Sequence, residues 1–133
     1  MFGDPDVHVR VVMPYDGDEI AKDKNKKPFQ ANNVAIIKVT YGDKKYIISN
    51  SSGYTYDGAT IPFRIGKGNM KLLVPALFHD IICENKSLVD YNRKLSSMIF
   101  KELLLQCEVN KIAAHIMYEA VDLYQHWTKG WKK

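Results

Sequence analysis

Three side chains have the types and spacing for chemistry: Asp57, His79 and Asp80. Asp57 lies in SGYTYDGATIP, Ser52 to Pro62, with Gly53 before it, Gly58 after it and Pro62 closing the segment. A carboxylate on a short glycine-flanked loop is either held for a ligand or simply makes a turn. Aspartate bonds nearby amides, and Asp-Gly is a common turn pair. His79 and Asp80 stand side by side in LFHDIICEN. Imidazole and carboxylate together suit a divalent ion such as zinc, manganese or iron. Neighbours on a helix point about 100° apart, so they converge on one ion only if it sits at the helix flank. Cys83, one turn beyond His79, is a further candidate ligand. The plainer alternative has His79 bonding a backbone carbonyl while Asp80 faces water or caps another element. Burying either group without a partner is costly, which favours a mutual Asp57, His79 and Asp80 cluster. Holding a metal, that cluster would activate water in a hydrolase. Without one, it is an internal polar clasp joining the loop to the helix.

A second polar set follows later. His115, Glu119, Asp122 and His126 recur at helical spacing along one narrow stripe. Such a stripe can bind metal, or it is the wet face of an amphipathic helix. The spacing favours the wet face, opposite Ile112, Ile116, Ala120, Leu123 and Trp127. Two signatures are excluded. The metal phosphohydrolases with an adjacent His-Asp pair need an earlier helical histidine, and only His8 precedes, in a predicted strand. GKGNMK lacks the third glycine and the Lys-Ser ending of a phosphate loop.

The elements that must position these groups divide the chain in two. VHVRVVM alternates Val7, Val9 and Val11 with His8 and Arg10, the period of a half-buried strand. Asp16 to Pro28 is polar and turn-rich, so a loop is expected. NVAIIKVTY is a β-branched strand, and GDKK closes a hairpin onto YIIS. Ser49 to Gly53 is a further turn, and a short strand or extended segment leads from it into Asp57. The second half is helical. A first helix is expected from about Pro75, with the proline in its first turn. A second runs through NKSLVDYNRKLSSMIFKELLLQ, with Ser87 and Asp90 at capping-box spacing. A third covers Val109 to Thr128 and stops near Gly130. The expectation is one α+β domain over residues 1–133, β-rich over 1–65 and helical over 69–129. A small antiparallel sheet packs against about three C-terminal helices.

Composition narrows the class further. The chain has 133 residues, 46% hydrophobic and 26% charged, within the range of a single globular domain. No apolar run is long enough to span a bilayer, and MFGDPDVHVR does not read as a signal peptide. Cys83 and Cys107 are expected as reduced, buried thiols. The net charge of +4 is mildly basic. AKDKNKKP reads as a solvated loop and TKGWKK as a solvated helix end. A nucleic-acid or other anionic partner for that tail is the weaker alternative.

GYTYDGATIP, then LFHDIICEN, then YNRKLSSMIFKELL together resemble a small phage and prophage family, domain of unknown function 1353. Gly53, Asp57, Gly58, Ala59, Pro62, His79, Asp80, Arg93 and Phe100 match its pattern over roughly residues 45–127. Tyr56 stands where threonine is usual and Thr60 where serine is usual. Ser96-Ser97 replaces Ala-Asp, so a possible acidic ligand of the relatives is absent. The resemblance implies a shared fold and a phage origin, with other phage proteins as partners and the virion or host cytoplasm as location. It leads first to a non-enzymatic virion-associated or interaction module. The alternative is a metal-dependent hydrolase in which Asp57, His79 and Asp80 hold a divalent ion. Arg93 would then orient an anionic substrate or pair with Asp57.

Overall fold

The computed structural model describes residues 6–14, 17–19, 29–51, 53–56, 73–126 and 131. Among the described residues six strands precede three α-helices, an α+β arrangement as expected: β1 (Val7–Met13), β2 (Gly17–Glu19), β3 (Phe29–Ala31), β4 (Ile36–Tyr41), β5 (Lys44–Ser49) and β6 (Thr55–Tyr56). The helices are α1 (Leu73–Glu84), α2 (Arg93–Gln106) and α3 (Lys111–His126). β1, β4 and β5 form one antiparallel sheet in that order. β2, β3 and β6 form a second: β6 is the short strand expected before Asp57, whereas β2 falls in the stretch Asp16 to Pro28 expected as a loop, and β3 was not expected.

The first sheet follows from alternation. Val9 pairs with Val39, Ile37 with Ile48, and all four are buried while Lys38 and Ile47 point outward. Gly42 closes the β4–β5 hairpin at φ 59°, a left-handed value that suits glycine. Val11, in phase with Val9, is nevertheless exposed, and β1 slips register between Val11 and Met13. Asn50 pins the exit of β5. Its Oδ1 accepts from Ala35 N at 2.9 Å, and its Nδ2 donates to the carbonyls of Asn33 and Ser51, both at 2.9 Å.

α2 is the hub of the fold, packing against β1, α1 and α3. Its buried Leu95, Ile99, Phe100, Leu103 and Leu104 join Phe78 and Ile82 of α1, Val121 of α3 and the inner sheet residues in one core. Pro75 lies in the first turn of α1, as expected. The long second helix does not run unbroken. Lys86–Val89 is a separate 3-10 turn, and Asp90 and Tyr91 follow with φ 56° and 60°. Two consecutive left-handed residues cannot continue a right-handed helix. The cap of α2 is therefore Asn92, whose side chain accepts from Leu95 N at 3.0 Å. Ser87 Oγ instead donates to Asn85 Oδ1 at 2.9 Å.

Two bonds close the C-terminus of α2: Glu108 N to Leu105 O and Val109 N to Leu104 O, each 3.1 Å. Glu108 is left-handed at φ 64°. Trp131, in the stretch expected as a solvated helix end, packs against the core with Lys86 Nζ 5.2 Å from its ring centre. No described helix is long and apolar enough to cross a membrane.

Candidate functional site

His79 and Asp80 project from the middle of α1, and both are buried. The imidazole, 2% exposed, lies in the seam where α1 meets α2 and α3. Its Nε2 is 2.7 Å from Oε1 of Gln125, and the Phe100 ring lies 5.3 Å away, centre to centre. Ser96 Oγ donates to the same Gln125 oxygen at 3.2 Å. The Gln125 amide nitrogen donates to Ser97 Oγ at 2.7 Å, and Ser97 donates in turn to Asp122 Oδ1 at 2.9 Å. Arg93 completes the line, with NH1 2.9 Å from both Asp122 Oδ1 and the Asp122 carbonyl.

These partners assign the imidazole proton. Oε1 of Gln125 can only accept, so His79 carries its hydrogen on Nε2. Nδ1 is then an acceptor, with the Cys83 thiol 3.7 Å away. Every member from Cys83 through His79, Gln125 and Ser97 donates forward, and the line ends on a carboxylate that also receives Arg93. No buried side-chain nitrogen or oxygen among the described residues lacks a partner.

Burial sets the electrostatics. Desolvation pushes the His79 pKa down to about 4, against the opposing pull of the Gln125 bond. It pushes the Cys83 thiol up to about 12, and the Asp80 charge adds to that rise. Both side chains are neutral at neutral pH. Cys83 and Cys107 are free thiols, each half-buried rather than fully enclosed.

The expected cluster is only partly visible. Asp57, with Gly58, Ala59 and Pro62, lies outside the described residues. Among the described residues, no three His, Cys, Asp or Glu side chains come together as a cation site. The donor set around His79 does not fit one as it stands. Nε2 faces an amide, and the nearest sulfur is a protonated thiol rather than a thiolate. Arg93 sits at the far end of the polar seam, on Asp122.

Sequence reasoning missed Gln125, the residue on which the seam turns. It also assigned α3 the wrong inner face. Ala114, Val121 and Gln125 point inward, and Asp122 is drawn in by Arg93 and Ser97. Ile112, Ile116 and Leu123, expected inside, are 72%, 50% and 61% exposed. Of the expected wet stripe, His115, Glu119 and His126 are exposed as predicted, and Asp122 is not. The available signal was Ser96-Ser97 set within the apolar stretch Leu95 to Phe100. Two adjacent buried hydroxyls require polar partners on a facing element.

What the fold and this seam define is an α+β domain with a closed polar centre between helices. Residues 36–121, more than half of the chain, match the family described as "Protein of unknown function (DUF1353)", and the chain belongs to that family. Gln125 and Asp122 fall just past the matched span. The Asp122 carboxylate lies 2.9 Å from the Ser97 hydroxyl, so α3 brings an acid beside Ser97. No curated protein and no solved structure matches the chain.

Proposed function

We propose that this chain is a phage-encoded, non-enzymatic interaction module, virion-associated or bound within an assembly. Its polar centre is then an internal clasp rather than a reaction site. The observation that carries this reading is the orientation of α3. That helix turns Gln125 and Asp122 inward to the clasp and leaves Ile112, Ile116 and Leu123 facing out. A free-standing helix gains stability from the reverse arrangement, so the outward apolar stripe is a surface meant to be covered. Within this reading Asp57 and Asp80 add to the clasp from the loop and from α1.

The test uses particles purified from the phage or prophage that carries the gene. Mass spectrometry should detect the wild-type chain in them. Replacing Ile112, Ile116 and Leu123 by serine should leave the melting temperature nearly unchanged, since exposed substitutions usually cost within about 0.5 kcal/mol each. The same replacement should remove the chain from particles. A chain absent from particles refutes the virion version. A triple variant incorporated like wild type refutes the module reading.

One observation favours the alternative, a metal-dependent hydrolase using Asp57, His79 and Asp80. Asp80 is a buried carboxylate immediately beside a buried imidazole. His79 would have to exchange Gln125 for the ion. Metal analysis of protein purified without chelator, compared with His79→Ala, decides it: stoichiometric metal lost in the variant supports the hydrolase, and no metal in either ends it.

A further inference from the structure

The outward face of α3 has a pattern that selects its occupant. Ile112 and Leu123 are eleven residues apart, which brings them within about 20° of each other around the helix, and Ile116 lies within about 40° of Ile112. The three therefore form one apolar line along α3, and all are exposed. Beside it runs a charged edge. Glu119 Oε1 lies 3.4 Å from His115 Nε2, and Lys101 Nζ of α2 lies 3.2 Å from His115 Nδ1. The Lys101–His115 end of this edge donates hydrogen bonds, and the Glu119 end accepts them.

That arrangement is complementary to itself when reversed. An antiparallel copy of α3 related by a two-fold axis near Met117 sets Ile112 against the second copy's Leu123, and Leu123 against its Ile112. The same axis sets the Lys101–His115 end against the second copy's Glu119, and Glu119 against the second copy's basic end. A parallel copy, related by a two-fold along the helices, would instead put the two charged edges on opposite sides of the interface, each against the second copy's Ala113 and Ala120, so no Glu119 would meet a basic end. The apolar line packs in either direction, and the charged edge selects the antiparallel one.

We propose that the chain forms a homodimer through α3, two copies packing antiparallel about an axis near Met117. The proposal rests on the interaction-module reading and names its partner as a second copy. Ile112, Ile116 and Leu123 supply the buried line. The His115–Glu119 pairs become four-membered across the axis and set direction more than strength. Half-buried Ala113 and Ala120 flank the line on its other side and allow a close helix approach.

Sedimentation of the full chain across a concentration series tests association. Dimer is expected, and Glu119→Lys should weaken it by about tenfold. Adding His115→Glu to that variant reverses both charges and should recover most of the loss. Orientation is read separately by mixing a chain carrying Ile112→Cys with one carrying Leu123→Cys and identifying cross-linked peptides after mild oxidation. Antiparallel packing yields links between positions 112 and 123. Links of each position to itself overturn the proposed geometry. Wild type that stays monomeric up to roughly 1 mM overturns the dimer altogether. That last result leaves the module reading standing if the serine triple variant is still lost from particles, since another protein then covers the stripe.

Discussion

Acid should weaken this protein through one buried imidazole. Burial holds the His79 pKa at about 4, against an ordinary value of 6.5. The unfolded chain takes up a proton there as pH falls through about 6.5, while the folded chain does so only near about 4. Between those values unfolding binds one more proton, so stability falls as the pH falls. The contribution is intact above about 6.5 and is progressively lost down to about 4. A gap of roughly 2.5 units at about 1.36 kcal/mol per unit gives about 3 kcal/mol. That is a large share of the roughly 5–15 kcal/mol that holds a domain folded. Urea unfolding at a series of pH values between roughly 7 and 4 measures it, with His79→Gln as the control. Glutamine can still donate to Gln125 but does not titrate, so the variant should lose about 3 kcal/mol less across the window. Contributions from all other groups are common to the two proteins and cancel in the difference. Parallel pH profiles for the two proteins, or a His79 that titrates in the folded state near its ordinary value, would refute the sealed seam.

Three further outcomes follow from the same network and its surroundings. Gln125→Leu removes the acceptor of both His79 Nε2 and Ser96 Oγ and the amide that donates to Ser97, and should cost about 3 kcal/mol in denaturant melts. It should also drive the His79 pKa lower still, since the Gln125 bond is what raises it, and proton NMR of the imidazole reads that directly. Asn50→Ala removes three hydrogen bonds, two of which tie the end of β5 to the chain before β4, and should cost about 2–3 kcal/mol by the same measurement. Cys83, its thiol raised to about 12 by burial, should react with iodoacetamide at neutral pH far more slowly than an unstructured peptide thiol, and at the peptide rate once denatured.

Much of the scaffold was legible because its signals are local. Alternating valines mark β1, the Gly42 turn closes the β4–β5 hairpin, and Pro75 fits the first turn of α1. The break before α2 was not legible. Asp90 and Tyr91 are left-handed without being glycine, and Tyr46 Oη donating to Asp90 Oδ2 at 2.9 Å helps hold them there from β5. Of the short second sheet, the segment before Asp57 was legible as a strand, but its partners β2 and β3 were not. Two- and three-residue strands carry no readable periodicity and form only because distant segments supply partners.

The site divides along the same line. Residue types alone marked His79 and Asp80 as groups that must find partners if buried, and the chain does bury them. Which partners they find is decided by three helices meeting, because a hydrogen bond spanning 46 residues leaves no trace in local spacing. Periodicity likewise showed that α3 has two faces, but not which one turns inward. The facing Ser96, Ser97 and Arg93 decided that by offering polar partners to Gln125 and Asp122, and the isoleucines and Leu123 were left outside.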